Sequence, residues 1–120
     1  MKKIEPYLRL RDGRGSFRGI TQEAWGEANF IETNAGEVRG NHYHAATREL
    51  FFIVAGRVDV VIEDLRSGVR TGFTARKGDA FVIEPFEVHT LTARTRAQWI
   101  NMLSRPLDPE SPDFHRPGEA

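Results

Sequence analysis

Short runs of β-branched and aromatic residues recur along this chain roughly every ten residues, and helical periodicity is hard to find. Residues that favour turns separate these runs, most clearly Asp12-Gly13, Asn34-Ala35-Gly36, Ser67-Gly68 and Lys77-Gly78-Asp79. This alternation is typical of an all-β sandwich or barrel. It predicts an all-β fold with strands over residues 7–10, 17–20, 28–33, 38–44, 50–55, 57–63, 72–74, 79–83, 89–93 and 97–103.

The composition limits what such a fold can do. The 120 residues suffice for one domain, and 17 basic side chains balance 17 acidic ones, so we expect no nucleic-acid partner. Cysteine is absent, which excludes disulfides, cysteine-liganded metals and thiol catalysis. The longest apolar runs are far shorter than a membrane span, and the amino-terminal residues lack the core of a signal peptide. We therefore expect a cytoplasmic protein without a membrane partner.

Two of the four histidines, His42 and His44, lie two residues apart in a predicted strand. Alternate residues of a strand share one face, so the two imidazoles are expected side by side. Glu49 follows after a short turn, and His89 opens a later strand. Three imidazoles and one carboxylate, without sulfur, suit zinc, iron, manganese, nickel or cobalt. These four residues are candidate metal ligands, although a His-x-His pair alone is often two half-exposed side chains.

The spacing of these residues resembles the two motifs of the cupin superfamily. The first motif, G-x5-H-x-H-x3,4-E-x6-G, is matched without a gap by Gly36, His42, His44, Glu49 and Gly56. The second motif, G-x5-P-x-G-x2-H-x3-N, is matched less well, although its glycine-to-histidine interval is kept by Gly78 and His89. The resemblance implies a single-domain cupin, a jelly-roll barrel or double-stranded β-helix, in which the three histidines and Glu49 hold a divalent metal.

Flanking segments narrow this resemblance. Residues 11–17 and 38–44 are similar to the D-x-R-G-x-F and R-G-x-H signatures of dTDP-4-dehydrorhamnose 3,5-epimerases and sugar-nucleotide 3,4-ketoisomerases. The stretch R-G-N-H-Y-H with a later Glu is most similar to the C-terminal zinc cupin of capsular-polysaccharide UDP-sugar epimerase/reductases. No tyrosine follows Tyr43, so the His/Tyr pair of the 3,5-epimerases is not expected. The resemblance implies a metal-dependent isomerase, with zinc favoured, that acts on a keto sugar nucleotide in surface-polysaccharide biosynthesis.

The implied reaction removes a proton next to a ketone whose oxygen is polarised by the metal. His42 and His89 would then be catalytic through the metal, and Glu87, beside His89, and a metal-bound hydroxide are the candidate bases. Two other classes of function stay open. Iron on the same ligands would make the protein a small oxygenase, and ligand binding without turnover would make it a sugar-binding cupin.

Three arginines in the family-like segments, Arg11, Arg14 and Arg39, are candidate contacts to a substrate diphosphate. Guanidinium groups bind phosphate in a bidentate manner, but a solvated charged face is the alternative for each of them. Strand alternation places Arg39 on the face opposite His42 unless a β-bulge intervenes.

Alternation within the strands predicts the core residues Phe51, Ile53, Val60, Ile62, Phe81 and Ile83. The barrel with its amino-terminal strands is expected over residues 1–103. Residues 104–120 contain four prolines among polar residues, which predicts an extended tail that packs over the surface or reaches a partner subunit. Because a half-open barrel leaves edge strands to be covered, we expect a homodimer.

Overall fold

The structure is a computed structural model that describes residues 1–118. These residues form antiparallel strands with no helix among them, so none of the described segments is a helix able to cross a membrane. The strands are β1 (Lys2–Ile4), β2 (Leu8–Asp12), β3 (Gly15–Gly19), β4 (Glu27–Thr33), β5 (Val38–His42), β6 (Glu49–Ala55), β7 (Arg57–Asp64), β8 (Arg70–Arg76), β9 (Ala80–Ile83), β10 (Glu87–Ala93) and β11 (Ala97–Leu103).

The strands form two main sheets and one separate hairpin. One sheet has the order β1-β9-β6-β11-β4 and the other the order β5-β10-β7-β8, so the chain crosses repeatedly between them. This is the jelly-roll arrangement, and it confirms the all-β cupin prediction. Every predicted strand has an observed counterpart, whereas β1 was not predicted because its three residues become a strand only by pairing with β9.

The core lies between the inner faces of the two main sheets. All six residues predicted from alternation are buried, each at most 3 % exposed. Trp99 on β11 and Leu91 on β10 join them from opposite sheets. Strand alternation therefore identified the inner faces correctly, because the buried and exposed sides of a strand differ in polarity at every second residue.

The hairpin formed by β2 and β3 is different. Its two strands pair with each other and with no other strand in residues 1–118. Leu10 lies opposite Phe17, and both are more than half exposed, at 55 % and 58 %. The hairpin therefore leaves an apolar face open to solvent in the monomer.

Candidate metal centre

A β-bulge in β5 brings the first histidine to the centre of the site. His42 pairs with His89 and Gly40 pairs with Thr90, so Asn41 is the extra residue on β5. Asn41 has a φ of 58° and Gly40 a φ of 93°. A Cβ on Gly40 would lie 2.5 Å from the carbonyl oxygen of His89, so the close approach of β5 to β10 requires glycine here.

The bulge also changes the side on which Arg39 lies. Arg39 pairs with Leu91, a core residue, so it lies on the same sheet face as the histidines and not on the opposite one. Its exposed guanidinium crosses to the other sheet, where it donates to the hydroxyl of Thr33 at 2.9 Å and to the carbonyl oxygen of Glu32 at 3.0 Å. Simple alternation had placed Arg39 on the wrong face because the extra residue shifts the phase of the strand.

Four side chains meet at one end of the barrel: His42, His44, Glu49 and His89. One potential ligand atom from each lies within 4.8 Å of those of the others. Nε2 of His44 is 2.8 Å and Nε2 of His89 is 3.3 Å from the same oxygen, Oε1 of Glu49. His42 is half-buried and the other three are buried, so His42 is the most accessible member of the cluster.

The proton positions follow from the acceptors around each ring. Nδ1 of His44 lies 2.7 Å from the main-chain oxygen of Asp113, and its Nε2 faces a carboxylate oxygen. Both partners can only accept, so both nitrogens of His44 donate, in keeping with a pKa that the Glu49 carboxylate raises against the effect of burial. Nδ1 of His89 donates to the carbonyl oxygen of Glu87 at 3.1 Å, so Nε2 is the nitrogen of this ring that faces Glu49.

Burial and the imidazoles of His89 and His44 lower the pKa of His42 to about 4, so its ring stays neutral at neutral pH. Burial alone would raise the pKa of Glu49, but the imidazoles of His44 and His89 lower it to about 2, and the carboxylate stays ionised. A neutral imidazole and an ionised carboxylate are the forms that coordinate metals.

The donor set fits a divalent metal. Nε2 of His89 is buried, faces the Glu49 carboxylate and has no hydrogen-bond partner in the described part of the chain. A buried ring nitrogen without a hydrogen-bond partner is unfavourable, and a cation bound between it and the carboxylate would satisfy both groups. Three imidazoles and a carboxylate are a ligand set typical of zinc and related ions, and hydrogen bonds to the far side of such ligands are usual.

Residues from distant parts of the chain hold these ligands. Nδ2 of Asn101, on β11, donates to Oε2 of Glu49 at 2.6 Å, and Asp113 in the tail accepts from His44. The ring of Phe114 lies 5.0 Å from that of His42 and 5.2 Å from that of His44. None of the three was predicted from the sequence. Asn101 could have been noticed as a polar residue at an inward position of an apolar strand, whereas no sequence pattern marks Asp113 or Phe114.

Three other predicted site residues lie elsewhere. Glu87 is buried, but its carboxylate accepts from the main-chain N–H of Glu84 at 2.7 Å and pairs with the amino group of Met1. It is outside the four-residue cluster, because its carboxylate caps the turn that precedes β10, and its role as a base stays a prediction. Arg11 and Arg14 are on the β2–β3 hairpin, where Arg14 is 92 % exposed and pairs with Asp12.

Residues 10–115 match the family model described as the polysaccharide biosynthesis C-terminal domain. The chain belongs to this family. Its curated relative, the spore coat polysaccharide biosynthesis protein SpsL of Bacillus subtilis (strain 168), is 28 % identical over 75 residues. That match covers 58 % of this chain and 50 % of SpsL, so the polysaccharide biosynthesis C-terminal domain described here spans about half the length of its curated relative.

Solved structures share the fold. The match to the capsular polysaccharide assembling protein CapF from Staphylococcus aureus covers 91 % of this domain and 33 % of CapF, at 23 % identity and a TM-score of 0.70. The dTDP-6-deoxy-D-glucose-3,5-epimerase RmlC from Legionella pneumophila, in complex with dTDP-4-keto-L-rhamnose, matches at 24 % identity and a TM-score of 0.77, over 91 % of this chain and 69 % of that one. The TDP-quinovose 3,4-ketoisomerase WlaRB from Campylobacter jejuni matches at 16 % identity and 0.84, over 96 % and 91 %. The predicted cupin fold, shared with sugar-nucleotide epimerases and ketoisomerases, is thereby confirmed.

Proposed function

We propose that this domain binds one divalent metal, with zinc as the favoured ion, and removes a proton next to the ketone of a sugar nucleotide in polysaccharide biosynthesis. The reaction would be an epimerisation or a ketoisomerisation. The observation that carries the proposal is the meeting of His42, His44, Glu49 and His89 in a fold shared with a 3,5-epimerase and a 3,4-ketoisomerase of nucleotide sugars. The cytoplasmic location stays a prediction.

The chain's own residues divide the work. Glu49 and the three imidazoles would hold the metal, which when bound polarises a ketone and so acidifies the neighbouring C–H. His42 is the half-buried and most accessible member of the cluster. The substrate's reacting carbons would therefore meet it first. Phe51 packs against His89, with ring centroids 5.9 Å apart, and closes the cluster towards the core.

Arg39 is the arginine that would bind the diphosphate. It lies on the inner face of β5, two strand positions before the bulge that aims His42, and its guanidinium is exposed at the rim. Its two hydrogen bonds, to Thr33 and to the main chain of Glu32, leave further N–H groups available for phosphate oxygens. Arg11 and Arg14 lie on the hairpin, so any part they have in binding would come through a second subunit.

We also propose a homodimer that uses this hairpin. An isolated two-stranded hairpin is marginally stable in water, and this one exposes Leu8, Leu10 and Phe17 on one face while Arg9 and Arg11 lie on the other. A second copy of the chain that covers the apolar face would bury these side chains and so stabilise the hairpin.

The test of the reaction is deuterium exchange. Metal-replete protein is incubated in deuterated water with dTDP-, UDP- and GDP-linked 4-keto-6-deoxy sugars, and loss of the C3–H signal is followed by NMR. We expect exchange with at least one of them, because exchange needs the enolate but not an accumulated product. His89→Ala should lose exchange, and Arg39→Ala should chiefly raise KM. Absence of exchange with every sugar would contradict the proposal, and oxygen uptake by the iron-loaded protein would then favour an oxygenase.

A further inference from the structure

The carboxyl-terminal tail is fastened to the loop that joins two members of the cluster. Oδ1 of Asp113 accepts from the N–H of Ala45 at 2.9 Å, and Oδ2 accepts from the N–H of Ala46 at 2.8 Å and from the hydroxyl of Thr47 at 2.9 Å. This loop runs from His44 to Glu49. The carboxylate of Asp113 therefore holds the loop that connects His44 to Glu49.

The tail also pairs with Tyr43, the residue that precedes His44 in the chain. The N–H of Tyr43 donates to the carbonyl oxygen of His115, and the N–H of His115 donates to that of Tyr43, both at 2.9 Å. Nε2 of His115 lies 2.9 Å from Oδ1 of Asp113. The tail is thus tied down immediately before and immediately after His44, and Asp113 takes part in most of these contacts.

The main chain of Asp113 then acts on the histidine itself. Its carbonyl oxygen is 2.7 Å from Nδ1 of His44, whose side chain is 0 % exposed. A carbonyl accepts only from a protonated nitrogen, so this contact keeps the proton on Nδ1 and turns Nε2 towards Glu49 and His89. The same backbone position sets Phe114 against the rings of His42 and His44.

We propose that Asp113 is a positioning residue of the metal centre, which acts through the tail to fix the ring of His44 with Nε2 facing the other ligands. Partners of this kind behind metal-binding histidines typically contribute about 10- to 100-fold in metal affinity. The inference deepens the proposed function, and only its metal arm rests on that proposal. Its ring-proton arm is measured on metal-free protein.

The experiment compares Asp113→Ala with Asp108→Asn in the full chain. Asp108 is an acidic residue of the same tail, and its oxygens accept only from the tail residues Glu110 and Ser111 within residues 1–118, so it controls for loss of a negative charge. The first measurement is the exchange rate with water of the Nδ1–H proton of His44 in ¹⁵N-labelled metal-free protein. We expect slow exchange in the wild type and in Asp108→Asn, and fast exchange in Asp113→Ala.

The second measurement is the Kd for Zn²⁺, by competition with a chelating dye. We expect Asp113→Ala to weaken binding by about 10- to 100-fold, and Asp108→Asn to leave it unchanged. Should Asp113→Ala fail to fold, Thr47→Val removes one of the carboxylate's hydrogen bonds at nearly constant shape and should shift both readouts in the same direction by a smaller factor.

Three results would overturn the inference. They are an unchanged Nδ1–H exchange rate in Asp113→Ala, equal weakening of Zn²⁺ binding in Asp113→Ala and Asp108→Asn, and a loss of thermal stability in Asp113→Ala with both readouts unaltered. If the wild type binds no Zn²⁺, the proposed metal function fails, while the ring-proton measurement still decides whether Asp113 orients His44.

Discussion

The carboxyl-terminal tail and the β2–β3 hairpin differ in how they are attached to the barrel. The carboxyl-terminal tail lies across the cluster, and its Asp113 accepts hydrogen bonds from the loop after His44 and from His44 itself. The amino-terminal β2–β3 hairpin pairs with no further strand of the part that the structure describes and keeps Leu10 and Phe17 exposed. The tail forms these hydrogen bonds within its own subunit, whereas the hairpin has apolar surface that its own subunit does not cover. We therefore assign the tail to the proposed metal site and propose the hairpin as an interface with a second copy of the chain.

The largest expected effect concerns the region that the tail covers. The His42→Ala/His44→Ala double variant removes two of the four proposed ligands, so the metal content should fall from close to one per chain to near zero. Elemental analysis of the purified wild-type and variant proteins measures this. Leu10→Asp is the matched control, because it alters the hairpin and should leave the metal content unchanged. An equally low metal content in the wild type and the double variant would contradict the proposed metal site.

The next effect concerns the hairpin. Leu10→Asp together with Phe17→Asp replaces two exposed apolar side chains of its open face. If these side chains are buried between subunits, each contributes about 1.5–3 kcal/mol, so the dimer should weaken by roughly 100-fold or more. Light scattering at micromolar concentration should report a dimer for the wild type and a monomer for the variant. A wild-type protein that is monomeric would refute the assignment of the hairpin to a dimer interface.

The smallest effect is a pH dependence that separates the cluster from the rest of the barrel. His42 has a pKa of about 4 in the folded protein, against 6.5 for an unperturbed histidine. Between these values the unfolded chain binds a proton that the folded one does not, so the metal-free protein should lose stability as the pH falls from about 6.5 to about 4.

His44 contributes with the opposite sign. Its raised pKa stabilises the folded state below its unfolded pKa, and this contribution is lost as the pH rises through the folded value. Glu49 stays ionised across the window because its pKa is lowered to about 2. The urea midpoint in the presence of a chelator, followed over this pH range, should fall less steeply in His42→Asn than in the wild type. Identical slopes for the two proteins would contradict the assignment to His42.

Much of the fold was readable from short patterns. The strand positions and the buried faces of β6, β7 and β9 follow from alternation, and the four members of the cluster follow from the spacing that resembles the cupin motifs. These features are local, or depend on a spacing within one motif, so the residues that encode them are adjacent or nearly adjacent in the chain. The errors began where a neighbour distant in sequence decided the outcome.

Arg39 and Glu87 show why sequence alone was insufficient. One extra residue at Asn41 reversed the face of Arg39, and its presence depends on how closely β5 approaches β10. Glu87 lies two residues before His89, yet its carboxylate pairs with the amino group of Met1, 86 residues away, and accepts from the N–H of Glu84. In both cases a hydrogen bond or a close backbone contact, and not a local preference, set the direction of the side chain.

By itself the sequence determined which residues form strands, which faces are buried and which four side chains are suited to a metal. The tertiary structure alone decided that Asn101 holds Glu49 and that Asp113, 69 residues after His44, sets that histidine's proton. The physical reason is that hydrophobic alternation acts through a period of two residues along the chain, whereas a hydrogen bond acts over about 3 Å in space. Only the folded barrel brings the tail within that distance.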